Sequence, residues 1–180
     1  DADALLLRAA TPRQGLLTGF TFGLGFFLCG VSWVYVSLSV FGGMPWWLAG
    51  IAAFLFCAVM AIFPLLAGWC FKRWQPAAPW RQALFFAALI AAVDWLRSWI
   101  FTGFPWLVVG YSQAPPSPLA GFAPVLGVHG LSLLVALAGA LLLRWRVGVG
   151  FLALAVLSGL ALQQVSWTIP VGEPIRVALI

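Results

Sequence analysis

Charged side chains are scarce in this sequence. Asp, Glu, Lys and Arg make up 7% of the 180 residues, against about 25% in an ordinary soluble domain. Hydrophobic residues make up 64% and the mean hydropathy is +1.08, which excludes a soluble globular domain and indicates an integral membrane protein. The net charge of +5 does not predict a nucleic-acid partner, because the basic residues lie in short loops between apolar runs and no nucleic-acid motif occurs.

Residues that could hold a metal ion are also few and scattered. The three cysteines, Cys29, Cys57 and Cys70, lie far apart within apolar segments, without the close pairs typical of metal sites. We interpret them as small packing residues. The single histidine, His129, opens an apolar run, where a lone histidine is more often a polar residue at a helix end than a ligand or a base. The sequence therefore predicts no metal site.

Long apolar runs are what the sequence has in abundance, and most approach the roughly 20 residues that cross a bilayer. They predict an all-α integral membrane bundle over residues 15–164, with a loop at 102–126. The five predicted spans cover about 15–38, 46–71, 80–101, 127–143 and 147–162. Residues 1–14 are then predicted to form a cytoplasmic segment before the first span, the tail of an earlier helix followed by a short loop.

The last residues predict a different kind of structure. Residues 165–180 contain two prolines and end in IRVALI, which resembles the first strand of a soluble domain. The chain starts without Met and ends inside this strand. Both features indicate a piece of a longer polypeptide.

Glycines and a proline predict how two of the spans pack and bend. Gly15, Gly19 and Gly23 recur every four residues, which places them on one helix face where another helix can approach closely. Pro64 lies inside the second predicted span. We expect it to kink that span, because proline removes a backbone donor and crowds the preceding turn.

The loop cations predict the orientation in the membrane. All of them fall on one side of the five-span bundle: Arg8 and Arg13 before the first span, Lys72, Arg73 and Arg81 between the second and third, and Arg144 and Arg146 between the fourth and fifth. Cytoplasmic loops carry such an excess of Lys and Arg. The N-terminal end is therefore predicted to be cytoplasmic, and the 102–126 loop and the C-terminal end lie outside.

Two charged residues interrupt the third predicted span near its end. Asp94 and Arg97 are three residues apart, so they lie on one helical face and can pair. Charged residues cost several kcal/mol in lipid, roughly 2.5 to 3.5 at a helix centre, and usually face a protein interior or a wet cavity. The pair has two interpretations at this point: a structural ion pair, or part of a lipid or substrate site with the aromatic loop that follows it.

Three segments resemble one protein family, in order and at similar spacing. They read SWVYVSLSVFGGMP at 32–45, DWLRSWIFTGFPWLVVGYSQ at 94–113 and PLAGFAPVLGVHGLS at 118–132. Together they are similar to the membrane part of bacterial apolipoprotein N-acyltransferase. The resemblance covers the middle of that family's pattern, without its first two membrane helices and without its nitrilase-like αββα domain, of which IRVALI resembles the opening strand.

The resemblance implies an enzyme of the bacterial inner membrane. Members of the family move an acyl chain from a phospholipid to a catalytic cysteine, and then to the N-terminal amino group of a diacylglyceryl-cysteine apolipoprotein. It implies no cofactor, and it places the catalytic Glu, Lys and Cys beyond residue 180, so this segment has no catalytic residue. The residues that it implies for lipid or substrate binding are Asp94, Arg97, Trp106, Tyr111, Gln113 and Trp167.

Two other functional classes stay open from the residues themselves. In a transporter or channel subunit, Asp94 and Arg97 would line a polar path. The sequence has no internal repeat and only this one intramembrane charge pair, which argues against that class. In a non-enzymatic membrane scaffold, the same polar groups would serve packing alone.

Overall fold

Every regular element in the described part of the chain is helical. The computed structural model describes residues 11–168 and Gly172. The α-helices are α1 (Pro12–Gly30), α2 (Trp33–Val36), α3 (Trp46–Met60), α4 (Ile62–Arg73), α5 (Pro79–Arg97), α6 (Ala123–Leu142) and α7 (Trp145–Gln163). A π-helix at Ser37–Phe41 continues α2. Between α5 and α6 lie 3₁₀ turns at Ile100–Thr102, Val109–Gln113 and Pro118–Phe122. The predicted helical bundle is thus confirmed. The predicted strand at 175–180 lies outside the described residues.

Three helical segments are long and apolar enough to cross a membrane, within the described residues. They are Trp46–Arg73, Pro118–Leu142 and Trp145–Gln163. A fourth is possible if α1 and the helix at Trp33–Phe41, which meet at an angle of 52°, are one bent span. Helix α5 is not among them; it carries the charged side chains of Arg81, Asp94 and Arg97. The count of five spans stays a prediction.

Helix α1 begins before the first predicted span. The Thr11 hydroxyl accepts a hydrogen bond from the Gln14 backbone N–H at 3.2 Å, and the Gln14 side chain accepts one from the Thr11 N–H at 3.1 Å. This reciprocal capping box satisfies two of the free donors at a helix start. Pro12 follows as the first helical residue, where its missing N–H costs nothing. These local signals set the helix start three residues before Gly15.

The glycine stripe of α1 packs against α4, as predicted. Gly15, Gly19 and Gly23 are all buried. A Cβ on Gly19 would overlap the backbone carbonyl of Pro64, and one on Gly15 would overlap that of Gly68. Only glycine allows the two backbones to lie this close.

The second predicted span is interrupted at Ala61, where α3 gives way to α4. Pro64 is the third residue of α4. Because proline has no N–H, it cannot bond to the Met60 carbonyl four residues earlier, and its ring crowds that carbonyl. The helix is thus interrupted about one turn before the proline, and its two parts still form one apolar segment, Trp46–Arg73. The kink itself stays a prediction.

Helices α5 and α6 pack together over most of their length. At one end of this pair, Ala83 and Phe86 of α5 form a buried cluster with Ala140 of α6 and Phe71 of α4. At the other end, Asp94 of α5 meets Ser132 of α6. The packing of α5 on α6 thus brings a carboxylate and a hydroxyl into the interior of the bundle.

The cysteines differ in their surroundings. Cys57 is buried with Phe27 and Val31, in agreement with a packing role. Cys70 is half-buried, and Cys29 is exposed among the described residues. In the described part of the chain, no group of three His, Cys, Asp or Glu side chains comes together to hold a metal ion.

Candidate functional site

The site is centred on a buried ion pair at the end of α5. Asp94 is 6% exposed and Arg97 is 3% exposed. Arg97 Nη2 donates to Asp94 Oδ1 at 3.1 Å, as their spacing of three residues on the helix predicts. Two charges are kept this far from solvent only when each has further polar partners.

Arg97 finds those partners on the backbone of the loop that follows it. Its Nη1 donates to the carbonyl of Phe104 at 2.7 Å and to the carbonyl of Trp106. In return, the Phe104 N–H donates to the Arg97 carbonyl at 2.9 Å. The guanidinium also lies over the Phe27 ring of α1, 5.3 Å from its centroid. Arg97 thus fixes the loop against two helices.

Asp94 holds the next part of the same loop. Its Oδ2 accepts hydrogen bonds from the Val109 N–H at 2.9 Å and from the Ser132 hydroxyl at 2.8 Å. The Ser132 oxygen accepts one from the Gly110 N–H at 2.9 Å. We call Asp94, Arg97 and Ser132 the loop clamp, because together they bind the backbone of residues 104–110.

Ser132 was not among the residues predicted for the site. It is fully buried and lies 38 residues from Asp94 in the sequence. One signal was present: Ser132 is a lone hydroxyl in an apolar run that extends to Leu143, and a hydroxyl buried in a membrane bundle needs a partner. The sequence did not show which partner it has.

The clamped loop holds an unusual backbone conformation. Phe101, Thr102 and Leu107 have φ values of 52°, 78° and 58°. Non-glycine residues in the left-handed region cost on the order of 1–3 kcal/mol each and persist only where their surroundings enforce them. Arg97 donates to the Phe104 carbonyl on one side of Leu107, and Asp94 accepts from the Val109 N–H on the other, so the loop is held on both sides of Leu107.

The loop presents two of the predicted aromatic residues at the surface. Trp106 is 52% exposed and Tyr111 is 57% exposed. Trp106 stacks on Phe104 at a centroid distance of 5.3 Å and contacts Trp33 of the helix after α1 at 5.9 Å. Trp106 and Tyr111 line a shared cavity of about 310 Å³ with Pro105 and Leu107. The structure therefore brings these two residues together.

Two further cavities touch Arg97. The larger, of about 270 Å³, lies between the α3–α4 break and the loop at 100–104. The smaller, of about 70 Å³, lies among side chains of α1, α4, α5 and the loop. Both are bounded mainly by aliphatic and aromatic side chains. A buried guanidinium beside apolar cavities is an arrangement suited to a lipid.

Gln113 and Trp167 lie in a different part of the loop region. Gln113 Oε1 accepts from the Ser117 hydroxyl at 2.7 Å, and its Nε2 donates to Ser112 at 2.9 Å. Trp167 is half exposed and lines a cavity of about 350 Å³, which Gln163 and the loop prolines Pro115, Pro116 and Pro124 also line. Neither residue lines the cavities beside Arg97.

His129 stands one turn before Ser132 on α6. The backbone breaks at Gly127, with φ 64°, so His129 opens the regular part of the helix as predicted. Its Nδ1 is buried and has no hydrogen-bond partner among the described residues. We assign it no role at the site.

Known proteins resemble this chain along almost its whole length. The model of the family described as apolipoprotein N-acyltransferase N-terminal domain matches residues 4–141. That is more than half of the chain. The chain belongs to this family.

Curated relatives carry the same family name. An apolipoprotein N-acyltransferase of Nitrosomonas europaea is 52% identical over 96% of this chain, one of Pseudomonas syringae is 44% identical over 96%, and one of Chromobacterium violaceum is 42% identical over 93%. The matched part is 36%, 36% and 34% of those proteins. The chain thus spans about a third of the length of these apolipoprotein N-acyltransferases.

Proposed function

We propose that this chain is the membrane part of an enzyme that transfers a fatty acyl chain from a phospholipid to an apolipoprotein. The acceptor is the N-terminal amino group of a diacylglyceryl-cysteine, and the acyl chain passes through a cysteine thioester. Membership of the apolipoprotein N-acyltransferase family supports the reaction class. The clamped aromatic loop beside apolar cavities is the observation that supports a lipid-binding part for this chain.

Each predicted site residue has a part in this proposal. Trp106 and Tyr111 contact the lipid at the membrane interface, where aromatic side chains are favoured. Asp94 and Arg97 hold the loop in position, and Gln113 stiffens its second half through Ser117. Trp167 lies after the last helix. There it contacts the substrate that enters beside the end of the helical bundle.

The thioester chemistry is proposed to belong to residues outside this chain. A cysteine nucleophile needs an adjacent base or a nearby cation to form the thiolate. Asp94 is the only carboxylate in the sequence of residues 11–168, and it is already bound to Arg97, Ser132 and Val109. Residues 1–180 alone should therefore form no acyl-enzyme with phospholipid.

The proposed location is the bacterial inner membrane, with the N-terminal end cytoplasmic and the C-terminal end periplasmic. The one-sided loop cations support this orientation. Single cysteines introduced near Pro76 and near Pro116 should react with an impermeant reagent from opposite sides. Labelling of both positions from outside the cell would contradict the orientation.

The contacts argue against the transporter alternative, and the activity test below separates the enzyme from the scaffold. In a transporter, Asp94 and Arg97 would face a polar path, but both are buried, and their hydrogen bonds go to each other, to Ser132 and to the loop backbone. The test is acyl transfer by the full-length protein in vesicles, from a labelled phospholipid to a diacylglyceryl-cysteine peptide. Transfer is expected; its absence in correctly folded protein would reject the enzyme and favour one of the alternatives.

A further inference from the structure

Two N–H groups of the Arg97 guanidinium make no hydrogen bond to another described residue. A guanidinium has five N–H groups. Both N–H groups of Nη1 are bound to the loop carbonyls of Phe104 and Trp106, and one of Nη2 is bound to Asp94. The Nε–H and the second Nη2–H have no acceptor among residues 11–168. Among the described residues, Nε of Arg97 is not one of the buried polar atoms that lack a partner, so it reaches open space inside the bundle, where a bound acceptor could satisfy it.

The cavities that Arg97 lines can hold a hydrogen-bond acceptor for these N–H groups. The larger one, of about 270 Å³, is bounded by apolar side chains of the α3–α4 break and of the loop, among them Met60, Phe63 and Phe104. Its rim includes the exposed side chains of Val59, Ile62 and Phe101, so it opens toward the surface that a bilayer covers. The cavity offers room for a hydrocarbon chain and, at Arg97, a donor for one oxygen atom.

The charge of the site determines which kind of oxygen fits. Asp94 already neutralises Arg97 at 3.1 Å. A phosphate at the free N–H groups would bring a second negative charge into this buried pair and leave one charge uncompensated away from water, which is strongly unfavourable. A neutral carbonyl oxygen accepts the hydrogen bonds without that penalty.

We infer that Arg97 binds the ester carbonyl of a fatty acyl chain whose hydrocarbon part lies in the cavity beside it, and does not bind the phosphate. This rests on the proposed function in one respect, that the lipid is the phospholipid donor. Arg97 is two residues from each of the exposed tryptophans Trp95 and Trp99 and donates to the carbonyl of the exposed Trp106; exposed tryptophans favour the bilayer interface. Ester carbonyls of phospholipids lie at the same level.

Two phospholipids that differ only in the ester carbonyl provide the test. In the full-length protein, alkylated at its reactive cysteines so that no thioester forms, a diester and a diether phospholipid with the same headgroup and chain length compete for binding against a fluorescent phospholipid. The diether lacks the carbonyl and should bind about tenfold or more weakly, the usual effect of one lost hydrogen bond to a charged donor. Equal binding of the two lipids by the wild-type protein would overturn the inference.

Arg97→Lys is the matched protein variant. A lysine ammonium has three donors, enough for the two loop carbonyls and Asp94 but with none left for a lipid. The variant should keep the loop and lose the preference for the diester, whereas Arg144→Lys, at an exposed arginine on the α6–α7 turn, should keep the preference. A folded Arg97→Lys protein that still prefers the diester would also overturn the inference.

An infrared measurement decides the case even if Arg97→Lys does not fold. The ¹³C-labelled ester carbonyl of the bound lipid should absorb at lower frequency than in the bilayer, because a hydrogen bond weakens the C=O bond. An unshifted band, or displacement of the lipid by soluble glycerophosphate, would reject the carbonyl assignment. If the lipid binds with the shifted band but acyl transfer is absent, the proposed function fails and the carbonyl site stands.

Discussion

The two ends of α5 use arginine in opposite ways. Arg81, at the start of the helix, is exposed and lies over the ring of its neighbour Trp80 at 5.0 Å. Arg97, at the end, is buried and bound to Asp94 and two loop carbonyls. A side chain that reaches water needs no built partner, because solvent stabilises its charge. A buried one persists only where its charge is paired and most of its donors are bound.

The exposed arginines therefore serve the orientation of the chain in the membrane, whereas the buried one serves the site. Arg146 lies over Trp145 at 5.4 Å and Arg73 over Trp74 at 6.0 Å, and both arginines are exposed like Arg81. These pairs can be exchanged for other cations, since only charge and an interfacial ring are required. The loop clamp depends on geometry instead, so substitutions there should have much larger effects.

The largest effect is expected for Asp94→Ala. It leaves Arg97 as an uncompensated buried charge and removes the acceptor of Val109 and Ser132, so the free energy of unfolding should fall by about 3–5 kcal/mol. Thermal unfolding of the detergent-solubilised full-length protein measures this. Asp94→Leu combined with Arg97→Leu should be less destabilising than Asp94→Ala alone. A double variant that is worse would mean that the loop depends on Arg97 more than on charge balance.

A smaller effect is expected for Ser132→Ala. The substitution leaves the Gly110 N–H without an acceptor in the interior and takes one donor from Asp94, at a cost of about 1–3 kcal/mol. Ser37→Ala, at an exposed serine, is the matched control and should be nearly neutral. The measurement is thermal stability together with protease cleavage in the 100–113 loop. Equal behaviour of the two variants would remove Ser132 from the clamp.

The sequence predicted the local part of this site and missed the long-range part. Asp94 and Arg97 are three residues apart on one helix, so their pairing follows from helix geometry alone. The contact of Asp94 with Ser132 requires α5 and α6 to pack in one particular register. That register cannot be predicted from the spacing of the residues in the sequence. The loop carbonyls of Phe104 and Trp106 could not be predicted either, because every residue has a carbonyl and only the folded backbone directs it.

The same distinction holds for the helices. The Gly15, Gly19 and Gly23 stripe predicted a close helix contact, and the structure confirmed it against α4. The 52° bend between α1 and the helix at 33–41 was not predicted. No proline lies between Gly30 and Trp33, but Gly30 and Ser32 stand at the break, and a glycine–serine pair is a weaker sequence signal for such a bend.

Trp167→Ala is expected to affect turnover and leave folding almost unchanged. The indole is about half exposed and packs at the edge of the cavity formed with Gln163, so little buried area is lost. Acyl transfer by the full-length enzyme should fall, and Trp167→Phe should be milder because it keeps an apolar ring. Thioester formation and transfer to the acceptor are measured separately. An alanine variant with both steps at the normal rate would exclude Trp167 from the site.

The smallest effect is expected for Arg81→Ala. An exposed arginine over a neighbouring ring contributes roughly 0.5–1 kcal/mol at most, so both stability and acyl transfer should stay close to those of the wild type. Thermal unfolding and turnover of the purified protein measure the two quantities. A loss as large as that for Asp94→Ala would remove the contrast between the two ends of α5.

The most direct test compares Arg97→Ala with Arg81→Ala in acyl transfer per molecule of folded protein. The amount of folded protein is measured by size-exclusion chromatography in detergent, and transfer by the gel shift of a diacylglyceryl-cysteine peptide. We predict that Arg97→Ala lowers transfer per folded molecule by about tenfold or more, which corresponds to 1.4 kcal/mol or more of transition-state stabilisation, while Arg81→Ala leaves it unchanged. An Arg97→Ala protein that loses transfer only in proportion to its folded fraction would contradict the account, because the pair would then serve stability alone.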